Sequence, residues 1–145
     1  MGGVFIKEKD LVSVDFYFRC SKRRTRVITD KEYDELDDES QKEFQHCQIQ
    51  LKPLTWGQTT DLQRRSKYTS PELGQQVFDS DIYISEKLKA IIAAWSFTEE
   101  DKDGNEVPVP LNPDNINRLS PMVADFILEQ YRNYCEINEE EEKNF

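Results

Sequence analysis

From residue 11 the chain alternates. Val12, Val14, Phe16, Phe18 and Cys20 are interleaved with Leu11, Ser13, Asp15, Tyr17 and Arg19. A period of two sets the first group on one apolar face of a strand, which belongs on a core. Ser21 to Thr25 is a polar, basic connection, and Arg26-Val27-Ile28 predicts a returning strand. Cys47, Ile49 and Leu51 alternate with His46, Gln48, Gln50 and Lys52, which predicts another strand, ended by Pro53. Between these strands, Asp30 to Phe44 is dense in acid. Tyr33, Leu36, Ser40 and Phe44 fall at i, i+3, i+7 and i+11. That spacing fits an amphipathic helix capped by Thr29 or Asp30, with a long charged loop as the rival reading. Met1 to Phe5 reads as a frayed start.

Beyond Pro53 the period lengthens. Thr55 with Gln58 is a capping-box pattern. The helix it opens is weakened by Gly57 in its first turn and anchored mainly by Leu62, so it should lie at the periphery. Ser70-Pro71 predicts a short helix with Leu73, Val77 and Phe78 toward the core. Ile84, Leu88, Ile91, Ile92 and Trp95 recur at i, i+4, i+7, i+8 and i+11. They predict one helix, capped by Asp79 or Asp81 and running to Trp95, with Ala90, Ala93 and Ala94 widening its face. Ser96-Phe97-Thr98 is β-prone, and Asp103-Gly104-Asn105 is a turn signal. Val107-Pro108-Val109-Pro110 is confined to an edge strand or extended arm. Asn112-Pro113 and Ser120-Pro121 are helix starts. The last helix should carry Val123, Ile127, Tyr131 and Tyr134 on one face, with Asp125, Glu129, Arg132 and Glu136 on its wet face.

The fold class is therefore α+β, because strands and helices segregate rather than alternate. A β-rich portion, residues 1–52, is followed by a mostly helical portion, residues 53–136, with one β-hairpin near 96–110. Both belong to a single domain, residues 1–136, followed by an acidic, disordered tail at 137–145.

The charge narrows the partners. The 145 residues carry a net charge of −10, with 33% charged and 37% hydrophobic residues, and mean hydropathy is −0.80. So acidic a chain repels a phosphate backbone, which makes nucleic acid a poor partner and a basic protein surface a better one. No apolar run is long enough for a membrane span, and the N-terminus lacks the apolar region of a secretory signal. Cys20, Cys47 and Cys135 are odd in number and widely spaced, which points to reduced thiols in a cytoplasm. Eight Phe, six Tyr and two Trp supply material for a packed core.

Catalytic equipment is sparse. His46-Cys47 invites a metal reading with Cys20 and Cys135. Adjacent strand residues point to opposite faces, however, and no Cys-x-x-Cys pair exists. The same geometry argues against a Cys47–His46 nucleophile pair. Cys20 and Cys47 read as core cysteines. The five glycines form no phosphate cradle. Asp101 to Glu106 lacks the alternate-ligand spacing of a calcium loop and reads as a hairpin turn. No enzyme, cofactor or metal is expected. The candidate partner-binding residues are Trp56, the basic cluster Arg23, Arg24 and Arg26, and the acidic run Glu139, Glu140, Glu141 and Glu142. The blander readings are a basic turn that pairs with the acidic stretch Asp34 to Glu39, and a solvated tail. Trp95, which ends an apolar stripe, reads as core.

The order AIIAAWSF, DGNEVPVPLNPDNINRLSP, MVADFILEQY resembles the C-terminal half of tail assembly chaperones of long-tailed bacteriophages. Leu51-Lys52-Pro53-Leu54-Thr55 is similar to the entry of their helical region, so the likeness spans roughly residues 51–134. It implies a protein of the host bacterial cytoplasm, absent from the mature virion, that binds the phage tape measure protein and tail tube protein during tail morphogenesis. The β-rich first third lies outside this pattern. That part leaves open a structural tail or head–tail connector component, which could self-associate through an exposed edge strand. The net charge alone leaves open a small acidic inhibitor that mimics nucleic acid.

Overall fold

The computed structural model describes residues 4–7, 10–21 and 24–136. In chain order the elements are β1 (Val12–Ser21), β2 (Arg24–Thr29), α1 (Asp30–Asp34), α2 (Asp38–Gln41), β3 (Gln45–Leu51), α3 (Trp56–Arg65), β4 (Lys67–Thr69), β5 (Gln76–Phe78), α4 (Ser80–Ile91), β6 (Ile92–Trp95), β7 (Thr98–Glu100), β8 (Glu106–Pro108), α5 (Pro113–Asn117) and α6 (Pro121–Cys135). The class is α+β. β1, β2, β3 and β6 form an antiparallel sheet in the order β2-β1-β3-β6, and most helical residues follow its first three strands.

The period-two faces assemble as the sequence dictates. Val14 and Phe16 of β1 register with Ile49 and Cys47 of β3. These side chains, with Leu51, form the sheet side of the core. Leu88 and Ile91 of α4, Ile116 of α5, and Val123, Ile127 and Tyr131 of α6 cover them. Close packing of this kind makes each methylene count. The opposite face is covered at one corner. Tyr17 stacks on Tyr33 of α1 with ring centroids 3.6 Å apart, and Ile28, in register with Tyr17, is buried on that side. Phe44 is buried beneath the guanidinium groups of Arg19 and Arg26.

Four elements depart from the sequence reading, each for a local reason. The helix expected to reach Trp95 stops at Ile91, and Ile92–Trp95 becomes the edge strand β6. Ile92 registers with Leu51 and Trp95 with Ile49, across a bulge. The bulge keeps residues three apart on one face, so a helical spacing also serves a strand. Backbone groups of β3 that would otherwise be bare are satisfied in this way, and tertiary pairing overrides the local pattern.

The Asp30–Phe44 stretch is neither one helix nor a loop but two short helices. Thr29 opens the first with a reciprocal capping box to Glu32. Asp37 then opens the second by accepting a 2.7 Å bond from the Ser40 N–H. Bonding to Ser40 holds the Asp37 carboxyl below its usual range. A second cap signal inside the stretch thus restarts the helix.

Ser70-Pro71 begins a turn that never becomes a helix. The Gly74 N–H donates to the Ser70 carbonyl at 2.8 Å, and Gly74 adopts φ 64°. This left-handed residue closes a second hairpin, β4–β5, in addition to the expected one, β7–β8. In α6 the buried face reads Val123, Ile127, Gln130 and Tyr131, whereas Tyr134 is exposed. Pro121 occupies the first turn, but Ser120 makes no side-chain cap bond. The remaining starts are as read: Asp79 caps α4, Thr55 and Gln58 form a capping box on α3, and Asn112 caps α5.

Candidate interaction surface

Trp56 is the first residue of α3, held there by the box in which Thr55 N–H donates to Gln58 Oε1 at 3.0 Å and Gln58 N–H donates to Thr55 Oγ1 at 3.1 Å. Leu62, six residues on, lies well round the helix from Trp56 at 100° per residue and is buried. The Ser66 hydroxyl, also buried, donates to the Leu62 carbonyl at 2.6 Å. Anchoring on that side leaves the Trp56 indole 83% exposed. Among the described residues it has no hydrogen-bond or ring partner.

The chain beyond α3 continues the exposure. Leu73, at the tip of the β4–β5 hairpin, is 64% exposed, and Tyr68, Phe78, Ile82 and Ile84 also stand open to solvent. The hairpin is tied at its base by the Asp79 N–H, which donates to the Ser66 carbonyl at 2.7 Å. Phe78 meets Tyr83 of α4, with ring centroids 5.5 Å apart. Arg65 bridges Asp61 at 3.0 Å and Glu86 at 3.4 Å, tying α3 to α4. Ion pairs this exposed add little stability but favour one orientation.

The other candidate residues do not join this surface. Arg24 and Arg26 lie in β2, and Arg26 packs on Phe44. Neither pairs with Asp34 to Glu39. The acidic partner found in this region is Glu43, 2.7 Å from Arg19. Arg23 and Glu139 to Glu142 lie outside the described residues. Trp95 is half-buried, donates its indole N–H to the Val109 carbonyl at 2.7 Å and packs on Phe97. It is a core residue that also fixes the extended arm.

His46 and Cys47 point to opposite faces. His46 Nε2 lies 2.8 Å from Asp15 Oδ1 at the surface, while Cys47 is buried under Ser96, where desolvation pushes its thiol up. Cys20, expected in the core, is exposed; it lies one residue from the end of β1, opposite Thr25 of β2. Cys135 is half-buried, and burial raises its thiol to about 11. No group of three His, Cys, Asp or Glu side chains among the described residues is placed to hold a metal ion. No helix among them is long and apolar enough to cross a membrane.

Tyr131 links core and surface. Its hydroxyl accepts a 3.0 Å bond from the Leu54 N–H, directly before the α3 cap, and burial raises its pKa. The Lys87 ammonium lies 5.2 Å from its ring centroid and 2.9 Å from Glu136. Tyr131 thus ties α6 to the chain just before α3. Comparison with protein-family models, curated proteins and solved structures finds no match to this chain.

Proposed function

We propose that this protein is a non-enzymatic binding protein of bacteriophage tail assembly, a chaperone that holds the tape measure protein, and tail tube subunits with it, in the host cytoplasm. The observation that carries the reading is the concentration of unburied apolar side chains between Trp56 and Ile84. A solvated, acidic chain keeps such a set exposed at some cost to its own solubility, and the usual reason is a partner that covers it. Apolar helical surface on a client would be masked by Trp56 and the β4–β5 hairpin, while the net charge of −10 keeps the complex soluble. The resemblance over residues 51–134 supplies the biological setting and spans the same region.

The test is a tagged pull-down from cells that co-express the neighbouring tail genes, read by mass spectrometry beside the composition of purified particles. Recovery of the tape measure protein, with this chain missing from the particles, is expected. Stoichiometric copies in the particle would replace the chaperone with a structural tail component.

A further inference from the structure

β1 is longer than the strand beside it. It runs Val12–Ser21, but β2 pairs only with Phe16–Ser21, because at Thr29 the chain turns into α1. Among the described residues, Val12 to Asp15 therefore have β3 on one side and no strand on the other. The backbone directions follow from β3. Gln48 sends its N–H to Ser96 Oγ at 2.8 Å and accepts from the Ser96 N–H at 3.0 Å, so it faces β6. Alternation then turns Cys47 and Ile49 toward β1, and turns their partners Phe16 and Val14 toward β3. Ser13 and Asp15 consequently direct their backbone groups to the open side. Such an edge is a ready template for another strand.

The open edge lines a groove of about 590 Å³. Asp30 and Asp34 of α1 form one wall; Phe126, Gln130 and Tyr134 of α6 form another. Gln130 is only 7% exposed, yet its amide has no hydrogen-bond partner among the described residues. No fully occluded side-chain polar atom is left without a partner. Gln130 lines the groove, and its amide is free to pair there as far as the described residues go. It offers one donor and one acceptor side, as a peptide group does. Among its described lining residues, with Asp15, the groove carries three carboxylates against the single ammonium of Lys31. Glu139 to Glu142 of the sequence carry the same sign as the groove.

We propose that this groove receives an extended, basic segment of a partner polypeptide, added as a strand to the open half of β1. Its backbone pairs with Ser13 and Asp15, its basic side chains face Asp30 and Asp34, and Gln130 reads one of its peptide groups. The groove does not include Trp56, and the assignment holds whether or not the client is a tape measure protein.

The test uses the full chain and a fluorescein-labelled peptide of alternating lysine and valine, followed by anisotropy and by amide hydrogen exchange. Binding should slow exchange at Ser13. It should weaken about tenfold or more when alternate peptide amides are N-methylated, when lysine is replaced by glutamate, or when the protein carries Asp30→Asn with Asp34→Asn. Gln130→Leu should weaken it less. Equal binding of the N-methylated peptide would overturn strand addition, and absence of binding to the folded chain would overturn the site. Ser13 already protected without peptide would assign the edge to the chain's own termini if protection is independent of concentration, and to a second copy if protection grows with concentration. Because the peptide-side changes leave the protein untouched, a misfolded variant cannot rescue the idea.

Discussion

The sheet and the α3–β5 segment use similar side chains to opposite ends. In the sheet, Phe16, Ile49 and Leu51 are fully buried, and helices cover them. In the α3–β5 segment, Trp56, Tyr68, Leu73 and Phe78 stay exposed, although caps, a hairpin and ion pairs hold the backbone beneath them. Hydrophobicity alone cannot distinguish the two. The difference lies in what faces each side chain. A residue opposite α6 stabilises the fold, whereas one opposite water is stabilised by the fold and remains available to a partner.

Mutations can break that contrast. Ile49→Ala should cost about 2–5 kcal/mol in urea unfolding, since the fully buried site sits between β1 and β6 within the core cluster and collapses poorly. Tyr131→Phe strips the acceptor from the Leu54 N–H and should cost about 1–3 kcal/mol. Client binding should fall only as far as α3 shifts. Gly74→Ala forces a Cβ into φ 64° and should cost about 1 kcal/mol, read as earlier proteolysis within the β4–β5 hairpin. Trp56→Ala should stay within about 0.5 kcal/mol of the parent while client capture drops sharply. A loss as large as that of Ile49→Ala would mean that Trp56 is core and would erase the comparison.

The last expectation is a pH dependence. Burial raises the folded Cys135 thiol from 9.0 to about 11, so folding favours its protonated form. That contribution is whole below pH 9 and is lost as pH rises toward about 11. At pH 9, iodoacetamide should modify exposed Cys20 well before Cys135. The reverse order would show that the last turn of α6 opens.

Much of the sheet was readable in the sequence because alternation is a strong signal and Pro53 marks an end. Capping residues were readable for the same reason: Thr55, Asp79 and Asn112 each satisfy a helix N–H locally. What escaped depends on distant chain. Ile92 and Trp95 satisfy a helical stripe until β3 is present to pair with them. Ser70-Pro71 announces a helix that Gly74 cancels four residues later. Trp56 was singled out from sequence, and its exposure follows from Leu62 claiming the buried side of α3. The groove was not visible, because nothing local says that β2 is shorter than β1. One clue was available: Gln130 interrupts the apolar face of α6 where a core residue would be expected.

The edge strand β6 also sets the order of events during synthesis. β1, β2 and β3 all lie within the first 51 residues, with only α1 and α2 between them, and can pair as soon as they leave the ribosome. Leu51, however, must wait for Ile92. At cellular elongation rates that wait lasts seconds, during which the far edge of β3 stands bare. The segment that eventually covers it is patterned as helix and must give up that structure to dock. Pulse-labelled exchange should therefore protect Tyr17, between β1 and β2, before Gln48, whose N–H waits for Ser96. Simultaneous protection would mean that the sheet closes in one step. Through that delay the newly made chain carries a bare strand edge and itself needs shielding.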